Sequence, residues 1–152
     1  RRLRISNLFE STSLVYRTSD VTYETDFYNG FLTSPASNIT EEVTNQLRKS
    51  EIFADVVDLS SHINAQLLLE GNISALYGDF RNPNQPTAVM EIYFNVTDKS
   101  KGPKNEFFHK TYFAAKPIQS NTSQAVVEGL NTCLEEILTS LANDLKNNLK
   151  KN

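Results

Sequence analysis

The stretch TAVMEIYFNVTD, residues 87–98, decides the fold. Alternate positions put Met90, Ile92, Phe94 and Val96 on one side and Val89, Glu91, Tyr93 and Asn95 on the other. A fully apolar side opposite a mixed one is the pattern of a strand with one face buried and one half-solvated. Its β-branched and aromatic content fits that pleated surface. Upstream, RNPNQP (81–86) supplies the asparagines and prolines of a turn, and AQLLLEGNISALYGDF (65–80) reads as the opposing arm. Downstream, KSKGPK (99–104) is a second turn before NEFFHKTYFAAK (105–116). Strands joined by turns this short pair as an antiparallel meander.

The apolar face needs a cover, and the C-terminal third provides one. From residue 123 to 149, Val126, Val127, Leu130, Leu134, Ile137, Leu138, Leu141 and Leu145 recur at intervals of three and four, apart from the adjacent pairs. That is one continuous helical stripe, on a helix roughly 40 Å long at ~1.5 Å per residue. A second helix opens at Ser34-Pro35, carries Ile39, Val43 and Leu47 at spacing four, and ends at Lys49-Ser50. EIFADVVDL (51–59) reads as a strand carrying Phe53, Val56 and Val57. Ahead of the first helix, strands are expected at 3–9, 14–17 and 21–28, the last with Val21, Tyr23, Thr25 and Phe27 on one face. The expected fold class is α+β: a mostly antiparallel sheet, two helices packed on one face, and a long C-terminal helix. With 152 residues, no internal repeat and no low-complexity linker, the chain is expected to form a single domain over 1–152.

Composition narrows the function. A net charge of -3 lacks the basic face that phosphate neutralisation requires, so nucleic acid is not an expected partner. No apolar run approaches the ~20 residues that span a bilayer. The chain begins RRLRISNLFE, with no initiator methionine and no apolar leader, and reads as a mature or trimmed product.

Catalytic groups do not converge. His62 and His109 lack a partner at metal-ligand spacing. Five glycines form no phosphate-binding loop. Cys133 sits on the helical stripe, where a buried thiol is the plainer reading than a nucleophile. Glu135 and Glu136 flank the stripe as solvated carboxylates, while Asp55 and Asp58 point to opposite faces of an extended segment. The expectation is a protein that is not an enzyme, with no catalytic, cofactor-binding or metal-binding residues. Four N-x-Ser/Thr sequons, at Asn38, Asn72, Asn95 and Asn121, are about the number chance supplies in so asparagine-rich a chain.

The segment LVYRTSDVTYETDFYNGFLTSP (14–35) concentrates Tyr16, Tyr23, Phe27, Tyr28 and Phe31 around Arg17. Tyr23 and Phe27 read as a core corner cementing strand to helix. Arg17, Tyr28 and Phe31 are the protein-contact candidates, since tyrosine and arginine are enriched in interface hot spots. Arg17 could equally pin the loop by pairing with Asp20 or Asp26.

These residues also carry a resemblance. The run VYR (15–17), then Tyr23, DFYNGFLTSP (26–35), a helix ending LRKSEIFADVV (47–57) and LEGNI (69–73) resembles the auxiliary lipoproteins of ABC-type transport systems. These are partners of MCE-type lipid-trafficking complexes in double-membraned bacteria and include the paraquat-inducible C-type lipoproteins. The likeness runs from the first strand to the closing helix, on loosely spaced motifs. Tyr16-Arg17 matches the family's early-strand pair, Tyr23 and Tyr28 its tyrosine run, Pro35 its helix-opening proline, Phe53 the phenylalanine before its next strand and Gly71 the glycine of its long strand. The family's tryptophan is replaced by Phe31, which keeps the aromatic bulk, and the family's lipidated N-terminal cysteine is absent from this chain. The resemblance implies a non-enzymatic periplasmic component, lipid-anchored at its N-terminus to the outer membrane. It would bind an MCE-type transporter subunit or itself, and need no cofactor. The alternative is a periplasmic docking scaffold of another envelope pathway, similar to the amino-terminal domain of translocation proteins.

Overall fold

The computed structural model describes residues 3–57, 61, 63–102 and 105–150. In chain order they form β1 (Arg4–Ile5), a 3₁₀ turn (Asn7–Phe9), β2 (Ser13–Arg17), β3 (Tyr23–Gly30), α1 (Pro35–Lys49), β4 (Leu67–Asp79), β5 (Thr87–Asp98), a 3₁₀ turn (Lys99–Lys101), β6 (Glu106–Pro117) and α2 (Ser123–Leu149). The sheet runs β3-β2-β4-β5-β6, and β1 also pairs with β4. The architecture is α+β, with the antiparallel meander β4-β5-β6 running from the middle of the sheet to one edge.

The expected strand over 3–9 is shorter and interrupted. Arg4 and Ile5 pair in parallel with Asn72 and Ile73, the chain then turns out through residues 7–9, and β2 rejoins the same edge of β4 at Gly78 and Asp79. Two short strands thus share one long neighbour, and their pairing with β4 is parallel. The excursion swings Phe9 into the core, where it stacks on Tyr77.

Met90, Ile92, Phe94 and Val96 face the helices and are buried, as their alternation requires. Opposite them α2 buries Val126, Leu130, Leu134, Ile137, Leu138, Leu141 and Leu145. Val127 is only half-buried, one position off the stripe. The Thr122 hydroxyl accepts the Ala125 N–H at 3.3 Å and caps the helix. At Gly129 the helix lies so close to β5 that a Cβ would stand 2.6 Å from that of Ala88 and 2.5 Å from Ile118. α1 packs beside α2 with Ile39, Val43 and Leu47 buried.

Two ties fasten β6 to α2. Asp144 accepts the Tyr112 hydroxyl and the Lys110 ammonium, each at 2.7 Å. Although burial pushes the Asp144 carboxyl up, these two donors outweigh it and hold it below the usual range. Lys116 pairs with Glu136.

One expected strand does not form among the described residues. Among the described residues of 51–59 there is no strand, and Phe53, Val56 and Val57 instead turn toward the side of α1 and the start of β4. The Arg48 guanidinium holds this segment by donating to the Val56 carbonyl at 2.9 Å. An apolar segment with no free sheet edge within reach buries itself by packing rather than by pairing. Asp55 spends its carboxylate on the Val56 N–H. Asp58 and His62 lie outside the described residues.

Candidate protein-contact site

Among the described residues β3 is an edge strand, so one of its sides has no backbone partner in the sheet. Its first half is regular: Arg17, Tyr16 and Val15 face Tyr23, Glu24 and Thr25. Beyond Thr25 the register jumps, because Ser13 pairs with Gly30. Two steps along β2 are therefore matched by five along β3, and the surplus residues bulge outward.

Asp26 organises the bulge. One carboxylate oxygen accepts the Tyr16 hydroxyl at 2.6 Å and the Asn29 amide at 3.0 Å. The other accepts the backbone N–H groups of Tyr28 and Asn29 at 2.9 and 3.0 Å. The Tyr16 hydroxyl first, with the amides of 28 and 29, holds the Asp26 carboxyl down at about 2 against the opposing effect of burial. Burial, and then the Asp26 carboxylate, push the Tyr16 phenol above its usual range. Gly30 closes the bulge where a Cβ would lie 2.4 Å from the Thr12 carbonyl, a contact no other residue could make.

The consequence is exposure. Phe27 is 90 % exposed, Tyr28 97 % and Leu32 102 %. The assignment of Phe27 to a core corner is therefore corrected: the bulge breaks the two-residue period that placed it beside Tyr23. Val21, in the turn before β3, is likewise exposed. Tyr23 does pack inward, edge-on to Tyr77 with ring centres 5.5 Å apart. Tyr28 overhangs a shallow groove floored by Leu14 and Val127 and flanked by Gln124 and Glu128 of the first turns of α2.

The three contact candidates stand in different settings. Arg17 lies at the opposite end of β3 from Tyr28, its guanidinium 5.5 Å from the centre of the Tyr23 ring. It donates to the backbone carbonyls of Ser19 and Asp20 at 3.2 and 2.8 Å and so pins the β2–β3 turn. The expected partner carboxylates are engaged elsewhere, Asp20 with Arg81 at 2.8 Å and Asp26 with Tyr16. Phe31 follows the bulge, half-buried against the core, with its N–H on the Thr12 carbonyl at 2.6 Å. Tyr28 alone of the three is fully presented to solvent, and its exposed neighbours are Phe27 and Leu32. Sequence reasoning missed those two. The available signal was the flanking Asp26 and Asn29-Gly30, residues that favour turns over continued pairing.

Elsewhere, His109 meets Glu106 at 2.8 Å on the surface. Cys133 is buried, its thiol pushed up to about 11 by desolvation and donating to the Ala88 carbonyl at 3.4 Å. Among the described residues no three His, Cys, Asp or Glu side chains gather as a metal would require, and no helix is long and apolar enough to cross a membrane.

No family model matches the sequence, and no curated protein does. Solved structures do. A protein of Xanthomonas campestris from the family DUF330 superposes with a TM-score of 0.85 at 15% identity, over 99% of this chain and 83% of that one. An uncharacterized protein follows with 0.79 at 13%, over 95% and 88%. A hypothetical protein of Chlamydia trachomatis matches with 0.58 at 10%, over 94% and 96%. At these identities the likeness is one of fold, and the fold of this chain is that of the DUF330 protein.

Proposed function

We propose that this chain is a non-enzymatic, protein-binding subunit of an envelope transport assembly. Specifically, it is an auxiliary lipoprotein of the periplasm, anchored by lipid at its N-terminus to the outer membrane, that docks onto an MCE-type lipid transporter. The motif resemblance and the fold shared with a DUF330 protein support the reading. The observation that carries it is the bulge of edge strand β3, where Phe27 and Tyr28 stand in solvent, with Leu32 exposed just beyond it. Large rings held out on an ordered bulge have little to do for the fold, since they bury almost nothing. They suit a partner that adds a strand or seats the rings in a pocket. Arg17 serves that surface by fixing the turn at its far end, and Phe31 by fixing its base.

The test is a pull-down of purified chain with the MCE subunit of the same genome, beside sedimentation of the chain alone. The double variant Phe27→Ala/Tyr28→Ala should weaken capture about thirtyfold, the loss expected from ~2 kcal/mol at a hot spot. Capture of the folded variant at wild-type affinity would remove β3 from the interface. Failure of the wild-type chain to bind the MCE subunit, with binding to another envelope protein through β3, would favour the docking-scaffold alternative.

A further inference from the structure

A cleft of about 540 Å3 lies between α1, the start of β4 and described residues of the connection that joins them. Its walls are aliphatic and aromatic: Val43 and Leu47 from α1, Phe53 and Val57 from the connection, Leu69 from β4, and Leu145 from the last turns of α2. Ligand sites typically fall between ~300 and ~1,000 Å3, mostly apolar with a few polar groups at defined points. Here the charged groups that line the cleft are Asp55 and Lys99. Asp55 is engaged with the Val56 N–H, and the Gln66 amide on the same rim points to Asp98 and Ser100 at 3.5 and 3.3 Å. Lys99 is exposed and, among the described residues, has no carboxylate partner. The described residues of the connection, 50–57, 61 and 63–66, contain neither helix nor strand.

We propose that this cleft binds the aliphatic chain of a single-chain anionic amphiphile, with its charged head at Lys99. The walls offer dispersion and desolvation along their length, and the hydroxyls of Thr40, Thr44 and Ser61 that also line the cleft are already bonded to backbone groups. A flexible hydrocarbon chain fits such a surface, and Lys99, the one cation among the described residues that line it, selects a carboxylate or phosphate head. The inference stands on the cleft and not on β3, so it can fail while the docking reading survives, and the reverse.

The test uses the full chain and dansylaminoundecanoate, followed by fluorescence below the micelle concentration. The probe should saturate at one per chain. Displacing carboxylates from about eight to sixteen carbons should tighten up to fourfold per methylene and then level off when the cleft is full. Displacement by lysophosphatidylglycerol as tight as by palmitate would identify a lysolipid head as acceptable, and weaker displacement would assign the site to fatty carboxylates. Val57→Asp and Ile63→Asp, both lining the cleft from the connection between α1 and β4 and each checked by its melt, should cost at least tenfold. Lys99→Glu should cost about tenfold for carboxylates and leave the matching long-chain alcohol unchanged. Absence of saturable binding, or wild-type affinity in both folded aspartate variants, would overturn the proposal. So would co-sedimentation with phosphatidylglycerol vesicles without probe displacement, which would make the segment a membrane-contact surface.

Discussion

In β5, alternate residues from Met90 to Val96 are apolar and all are buried. In β3 and its turn, Val21, Tyr23 and Phe27 alternate just as well, yet Val21 and Phe27 are exposed and only Tyr23 is packed. The two regions differ in what surrounds them. β5 is hydrogen-bonded on both sides along its whole length and lies under α2. β3 has one neighbour, five residues long, and slips out of register halfway. Alternation therefore specifies which residues share a face, whereas cover and register decide whether that face becomes interior.

The comparison breaks most violently in the covered half. Leu141 is completely buried beneath the sheet. Leu141→Asp should cost more than ~4–5 kcal/mol, a large part of the ~5–15 kcal/mol that holds a domain together. Loss of the cooperative thermal transition is the expected readout. A variant that still melts cooperatively would show α2 to be detachable.

Gly129→Ala sharpens the same half. Alanine in a helix interior ordinarily gains ~1 kcal/mol over glycine, but the new Cβ would stand 2.6 Å from that of Ala88. Overpacking costs ~1–3 kcal/mol, so the melting temperature should fall rather than rise.

On the edge, the effects shrink. Asp26→Asn should lower stability at neutral pH by a smaller amount, and the gap to the wild type should close in acid. A carboxyl whose folded pKa lies below its unfolded value stabilises the fold above the unfolded value and ceases to do so as pH falls through the folded one. The gap should therefore disappear between 3.8 and about 2. Melts across that range check the sign. A gap that widens in acid would mean that Asp26 is not the organiser of the bulge. Smallest of all, Phe27→Ala/Tyr28→Ala should move stability by no more than about 0.5 kcal/mol, because these rings touch little. A large fall in the melting temperature would show that they are packed in solution.

The amino-acid sequence by itself determined the meander, the apolar face of β5, both helices and nearly all of the α2 stripe, including the buried Cys133. These are local periodicities sustained over long elements, and long elements average out a single contrary residue. Tertiary structure decided what short segments do. EIFADVVDL has the composition of a strand, but β4 already pairs with β1, β2 and β5, so its Phe53, Val56 and Val57 line a cleft instead. Phe27 has the spacing of a core residue, but Asp26 finds the Tyr16 hydroxyl and two backbone amides, and that local bonding outweighs one more ladder pair. Of the candidate contact residues, aromatic composition pointed to the right segment. Which rings face solvent followed from the bulge, which depends on Tyr16, Thr12 and Gly30 meeting across two strands. Such a meeting has no signature in sequence spacing, because the number of surplus residues is set by hydrogen bonds between segments rather than within one.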